Sequence, residues 1–492
     1  MTSTHTQMHK LLGAALLAVL AAGCSQKDID INNPNVALAS AVASDPTALQ
    51  LLATGLLVDQ RGTRAGFIQN TGIFGREAYN YTPQEGRNTT HYLIGINVAG
   101  KQELDPTGFA GGLTWGGEYG ADRDIYNFKN TIAAAAGLST AQKAASLGFA
   151  QTIEGLMLLE VVQFHDSLGG VTEVKANPFD LSPFVSRDSM YKYVLNTLDA
   201  AATNLAGGGS AFPFTLSAGF AGFNTPATFL LFNRAIKAKA SANYATAGGG
   251  ATAWAATLAA LSASFLNAAA TTRAQFDVGV YDTYAPAPDT PNGLTQATNT
   301  NLYAHPSFTT DAQTKADGTP DNRYLAKIRT GLPSRTGPTT GDGPTSGTST
   351  IGFSIWPTTS SSIPIIRNEE LILLRAEAKQ ATGDKAGAIA DLNQVRVNSG
   401  GLPASTLTTA STDDAVITAI LYEKRYSTMM EGNRWIDMRR YGKLNLLPLD
   451  ISTGANKNFV PKVTPISQAE CLVRAKLGAT FLGPNGLNDC AP

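Results

Sequence analysis

The chain has 492 residues, and its 37 Lys plus Arg against 38 Asp plus Glu leave a net charge of −1. With no basic stripe, nucleic acid is excluded as a partner. Charged residues make up only 15% of a composition rich in Ala, Gly, Ser and Thr, which fits a surface outside the cytosol; the length can bury a large core.

The first predicted element is a leader. His9 and Lys10 precede an apolar or small-residue run from Leu11 to Ala22. These twelve residues are too few to span a hydrocarbon core, which needs about 20. They read as the apolar region of a signal peptide over 1–23, started at Met1 or Met8. The closing Ala-Ala-Gly-Cys resembles the lipobox of bacterial lipoproteins, although Ala21 stands where Leu is usual. The resemblance implies cleavage before Cys24, lipidation of Cys24, and anchoring without a transmembrane helix. The alternative is plain secretion, with Cys24 a bystander. Residues 24–40 are polar and mixed in charge, as suits a tether, and 41–492 read as one domain.

Within that domain, helical periodicity dominates. Asp45 to Leu57 forms a first helix, with Pro46 at its first position. Residues 60–118 then read as irregular, and Tyr119 to Ala136 as helical. Three helix pairs follow. Ala141–His165 pairs with Ser189–Leu205, the second capped by Ser186 or Asp188. Thr228–Thr246 pairs with Ala253–Ala269 across Gly248-Gly249-Gly250. Ile365–Ala381 pairs with Lys385–Asn398, where Gly383 suits a left-handed turn and Asp384 a cap. The span from Ile365 to Asn398 is 34 residues, the tetratricopeptide period, so the predicted class is mainly α, with tetratricopeptide-like hairpins that stack. Long irregular insertions at about 60–118 and 270–362 interrupt them.

Signals of chemistry are sparse. Glu85, Glu103 and Asp105 carry no spacing that defines a glycosidase pair. No Gly-x-Ser-x-Gly, His-Glu-x-x-His or phosphate-cradling loop is present. No Cys/His cluster suggests a metal, and the Asp317 to Asn322 segment reads as a polar turn. We expect no catalytic residue and no cofactor. Cys471 and Cys490 are an even pair in one tail, and in an oxidising compartment they would form a disulfide.

Two stretches carry a resemblance. The first is Arg367-Asn-Glu-Glu through Glu377, with Gly383-Asp384, Leu392-Asn393, Arg396 and Gly400-Gly401. The second is Glu423-Lys-Arg425 with Glu431-Gly432-Asn-Arg434-Trp435-Ile-Asp437-Met-Arg439-Arg440. Together they resemble the SusD/RagB family. Ser427 departs from it, standing where a second Glu is common, and one weakened ion pair is the expected effect. The resemblance implies a SusD-like fold and a lipoprotein exposed on the outer membrane. It also implies a lid on a TonB-dependent (SusC-like) transporter that captures glycan or, in some branches, peptide.

The Glu423, Arg425, Glu431, Gly432, Arg434, Trp435, Asp437 and Arg440 block reads as structural. Its three acids and three bases balance as a paired network, Trp435 is an apolar anchor, and Gly432 allows a tight turn. Glycan capture requires aromatic faces beside polar groups. The candidates are Tyr79, Tyr81 and Trp115 in the first insertion, and Tyr281, Tyr284 and Trp356 in the second. Two alternatives stay open: a peptide-binding member of the same family, and a tetratricopeptide-like scaffold with no small ligand.

Overall fold

The computed structural model describes residues 46–478, apart from 178, 287–288 and 297–299. The expected signal peptide and tether, Cys24 and Cys490 all lie outside the described residues.

The helical part runs α1 (Pro46–Phe74), α2 (Gly116–Ala134), α3 (Thr140–His165), α4 (Arg187–Ala206), α5 (Pro226–Tyr244) and α6 (Gly250–Ser262). After the second insertion come α7 (Asn368–Ala381), α8 (Lys385–Asn398), α9 (Asp413–Ser427), α10 (Arg434–Arg440) and α11 (Gln468–Leu477). The predicted pairs are present: α3 packs on α4, α5 on α6 and α7 on α8, with α4 bridging to α5 and α7 to α9. Local sequence fixes the ends. Ser139 and Gln142 form a reciprocal capping box before α3, Ser186 caps α4, and Asp384 accepts from the Gly387 amide at 2.9 Å to open α8. Gly383 adopts φ +90° between α7 and α8, as a left-handed C′ residue should.

Two expectations need correction. The first helix does not stop at Leu57; α1 runs to Phe74, into the stretch read as irregular. Its glycines lower local propensity, but packing against α2, α3 and α10 overrides that weak preference. The second concerns Ile365. Residues Ile363–Arg367 form a strand, and the helix begins only at Asn368. Pro364 and three isoleucines favour extended backbone, and Arg367 is extended at φ −139°, ψ 164°.

Of the strands, four position the site: β1 (Ala78–Asn80), β2 (Gly279–Asp282), β3 (Leu302–Ala304) and β4 (Ile363–Arg367). β4 pairs antiparallel with β2, setting Arg367 opposite Gly279, and β1 pairs antiparallel with β3, setting Tyr79 opposite Tyr303. The two insertions therefore hydrogen-bond to each other. They are not loose loops: with Phe164, Tyr426 and Trp435 they build a second hydrophobic core beside the Phe-rich one between α2, α3 and α5. α3 has the length and hydropathy of a membrane span, yet 89% of that stretch is buried inside the protein, so it is a core helix.

Candidate ligand-binding cleft

The site rests on a buried ionic network. Glu369, at the start of α7, has no exposed surface; it accepts from Arg273 Nη2 at 2.6 Å, Ser399 Oγ at 2.5 Å and Ser427 Oγ at 2.7 Å, and it pairs with Arg367. Burial alone would raise its carboxyl, but Arg367 and then Arg273 hold it well below the usual carboxylate range. Arg367 also reaches Glu431 at 2.6 Å. Arg323 binds Asp321 at 2.5 Å and Glu423 at 2.6 Å, and Arg396 closes on Glu423 at 2.8 Å.

The six charges of the C-terminal block are thus mostly paired outside it. Within the block only Asp437 and Arg440 meet, at 2.9 Å. Arg425 pairs with Asp311 at 2.5 Å, and Arg440 with Glu377. Arg434 has no carboxylate in contact and donates to the Gly75 carbonyl at 3.0 Å. An acid–base count within the block could not show this, because the partners lie on β4, on α7 and in the second insertion. Ser427 stands between two of them, donating to Glu369 and accepting from Arg323 Nη1 at 3.0 Å. Its hydroxyl joins the network rather than leaving a gap in it. Trp435 is fully buried and donates to the Pro461 carbonyl at 2.8 Å.

The aromatic candidates divide. Tyr79 is 1% exposed and its hydroxyl meets Asp450; Tyr81 donates to the Gly347 carbonyl at 2.7 Å; Tyr284 is buried, with its hydroxyl toward the Arg61 carbonyl. These three rings are core residues and not open platforms, because the insertions that carry them pack together. Trp115 is boxed edge-to-face by Tyr119, His165 and Phe184, and borders a separate, smaller cavity. Tyr79 and Tyr81 stack on each other at 5.0 Å within the second core, whereas Tyr281 and Trp356 share a cleft. Its volume is about 610 Å³, and Arg273, Asp277, Lys327 and Glu431 also line it.

This cleft lies where the second insertion meets β4, the end of α8 and the turn between α9 and α10. Tyr281, on β2, is half-buried and its hydroxyl donates to the Asp277 carbonyl at 2.5 Å. Trp356 is nearly enclosed and tilts against Phe353 at 6.0 Å. Arg273 and Asp277 pair at 2.6 Å with their side chains 46% and 44% exposed, so the pair presents polar edges to the cleft. Lys327 donates to the Tyr426 carbonyl at 3.0 Å; burial, and then the neighbouring Arg367 charge, bring its ammonium down to about 8. Ring faces beside amphoteric hydrogen-bonding groups can hold a polar, ring-containing ligand. Arg273, Asp277 and Lys327 were not candidates from sequence, and only the i,i+4 spacing of Arg273 and Asp277 hinted at a link. Among the described residues no group of three or more His, Cys, Asp or Glu is placed to hold a metal ion.

Comparison with known proteins agrees with this architecture. Residues 270–470 match the SusD family model. No curated protein sequence matches the chain. Among solved structures, NanU of B. fragilis superposes with a TM-score of 0.63 at 15% identity, covering 91% of this chain and 98% of that one. A SusD-like carbohydrate-binding protein from Bacteroides fragilis gives 0.62 at 14% identity, covering 89% and 99%. A SusD-superfamily protein from Bacteroides vulgatus gives 0.59 at 15% identity, covering 82% and 90%. Helical hairpins stacked behind two interlocked insertions define a SusD-like fold. Over residues 270–470 the chain matches the SusD/RagB family, and the likeness of fold to the solved structures extends over 82–91% of its length.

Proposed function

We propose that the protein is a cell-surface lipoprotein that captures glycan in the Tyr281–Trp356 cleft and delivers it to a TonB-dependent outer-membrane transporter. One observation carries the binding part: of the aromatic candidates, these two line one cleft of about 610 Å³, beside exposed and hydrogen-bonding charges. The likeness of fold to a SusD-like carbohydrate-binding protein from Bacteroides fragilis supports glycan as the ligand class. The match of residues 270–470 to the SusD family supports the transporter as partner, and the lipobox-like segment ending at Cys24 supports a lipid anchor at the outer membrane.

The proposed role is binding rather than hydrolysis: among the described residues the carboxylates lining the cleft are engaged, Asp277 by Arg273 and Glu431 by Arg367. The test is calorimetry of the purified chain against an oligosaccharide panel, with a peptide panel alongside. Tyr281→Ala should weaken the binding oligosaccharide by about tenfold, the loss of one stacking ring, and leave the melting temperature nearly unchanged. Binding confined to peptides, or unaltered by Tyr281→Ala, would overturn the glycan reading, and released sugar would overturn the non-hydrolytic one.

A further inference from the structure

A second cavity, of about 270 Å³, lies where the start of α2 meets the 171–182 segment and α11. Trp115 and Tyr119 border it, and so does Asp122, one helical turn beyond Tyr119. The indole is fixed: Tyr119, His165 and Phe184 hold it edge-to-face with ring centroids 4.6, 5.0 and 5.6 Å away. Asp122 is 3% exposed, and no described group donates a hydrogen bond to it.

Charges nearby are already committed. Glu173 pairs with Lys175 at 2.6 Å and Glu470 with Arg474 at 2.7 Å. Asp180 accepts from Asn177 Nδ2 at 3.2 Å. Behind Asp122, Glu154 takes both Lys129, at 2.7 Å, and the Tyr193 hydroxyl, at 2.7 Å. The Arg123 guanidinium turns to the Lys175 carbonyl. Asp122 is therefore one carboxylate more than the local cations satisfy. Burial and then Glu154 raise it to about 7, against the opposing pull of Lys129 and Arg123. A desolvated carboxylate without a partner is costly, and an ammonium group is the partner that relieves it most.

We propose that this cavity is a second binding site, independent of the cleft, for a ligand of single-ring size that carries a protonated amine. The ammonium would meet Asp122 while the ring lies against Trp115. The volume, just under the usual range of about 300–1,000 Å³ for small-ligand pockets, sets the size limit.

The full chain should be titrated by calorimetry at pH 8 with two matched pairs: glucosamine against glucose, and benzylamine against benzyl alcohol. At least one amine should bind more than about tenfold tighter than its hydroxyl counterpart, the scale of a charge-assisted hydrogen bond. Asp122→Asn should abolish that preference, and Tyr281→Ala should preserve it. Should Asp122→Asn fold poorly, the wild-type chain at pH 5.5 replaces it, because protonating Asp122 should weaken the amine by a similar factor. The proposal is overturned if neither amine outbinds its counterpart, or if the preference survives in folded Asp122→Asn or, where that variant folds poorly, at pH 5.5. Loss of the preference in Tyr281→Ala would instead place the amine in the cleft.

Discussion

Arg434 shows what a single side chain contributes here. It is a cation without a carboxylate in contact: burial, and then repulsion from Arg425, lower it to about 9, while Glu77 opposes the shift. In return the burial of Glu77, only partly offset by Arg434, raises that carboxyl to about 7. The pair act across a gap, and the Arg434 guanidinium also satisfies the Gly75 carbonyl at the end of α1. Arg434→Ala should cost about 2–3 kcal/mol, the order expected for a buried acceptor left unpaired. Chemical denaturation would measure it, and ligand affinity of the folded fraction should not move. The structural role of Arg434 was legible in the sequence, but its partner was not, because Gly75 is a backbone acceptor in a stretch that reads as irregular. The same holds for the aromatics. Tyr79 and Tyr81 looked like exposed platforms because nothing local shows that residues near 300 and 345 cover them.

At the level of elements, turns and caps were legible and extents were not. Asp384, Gly383 and Ser186 act where short-range chemistry placed them. The full length of α1 and the strand Ile363–Arg367 depend on distant partners, and periodicity carries no information about those. Gly432 joins the two kinds of evidence. It takes φ +83° in the turn between α9 and α10, and a Cβ there would lie 2.4 Å from the Phe67 ring on α1. Gly432→Ala should therefore be destabilised twice, by left-handed strain of about 1–2 kcal/mol and by overpacking of about 1–3 kcal/mol. Thermal melting would show a drop larger than that of Asp384→Ala, which removes only a cap worth about 1 kcal/mol. Equal drops would mean that α1 yields to the new methyl.

Across the whole molecule, the buried acids set the response to pH. Glu77, Glu118, Asp122 and Asp282 are each raised to about 7, in every case chiefly by burial, and Asp59 to about 6. Between the ordinary carboxylate range and pH 7 the folded chain holds more protons on these groups than the unfolded chain does, so their contribution falls as pH rises through that window. His165 works the other way: burial lowers it to about 4, so its contribution is lost as pH falls below about 6.5. Five raised acids outweigh it between pH 5.5 and 8. The melting temperature should be higher at pH 5.5 than at pH 8, and Asp282→Asn should flatten the profile. A profile that rises steadily from 5.5 to 8 would refute this balance.

The pairing of β1 with β3 has a consequence for the order in which the chain can become native. Tyr79 and Tyr303 lie more than two hundred residues apart in sequence, and both helical pairs α3–α4 and α5–α6 fall between them. Those pairs are built from local contacts and can form early; the strand pairing must wait for a long loop to close. A chain emerging from its N-terminus would thus carry a finished helical stack while Phe74, Tyr79 and Tyr92 still lacked the Trp435 end of their core. The C-terminal block is the latch on that assembly, so truncation before residue 420 should leave the first insertion open to protease although α3 and α4 stay protected.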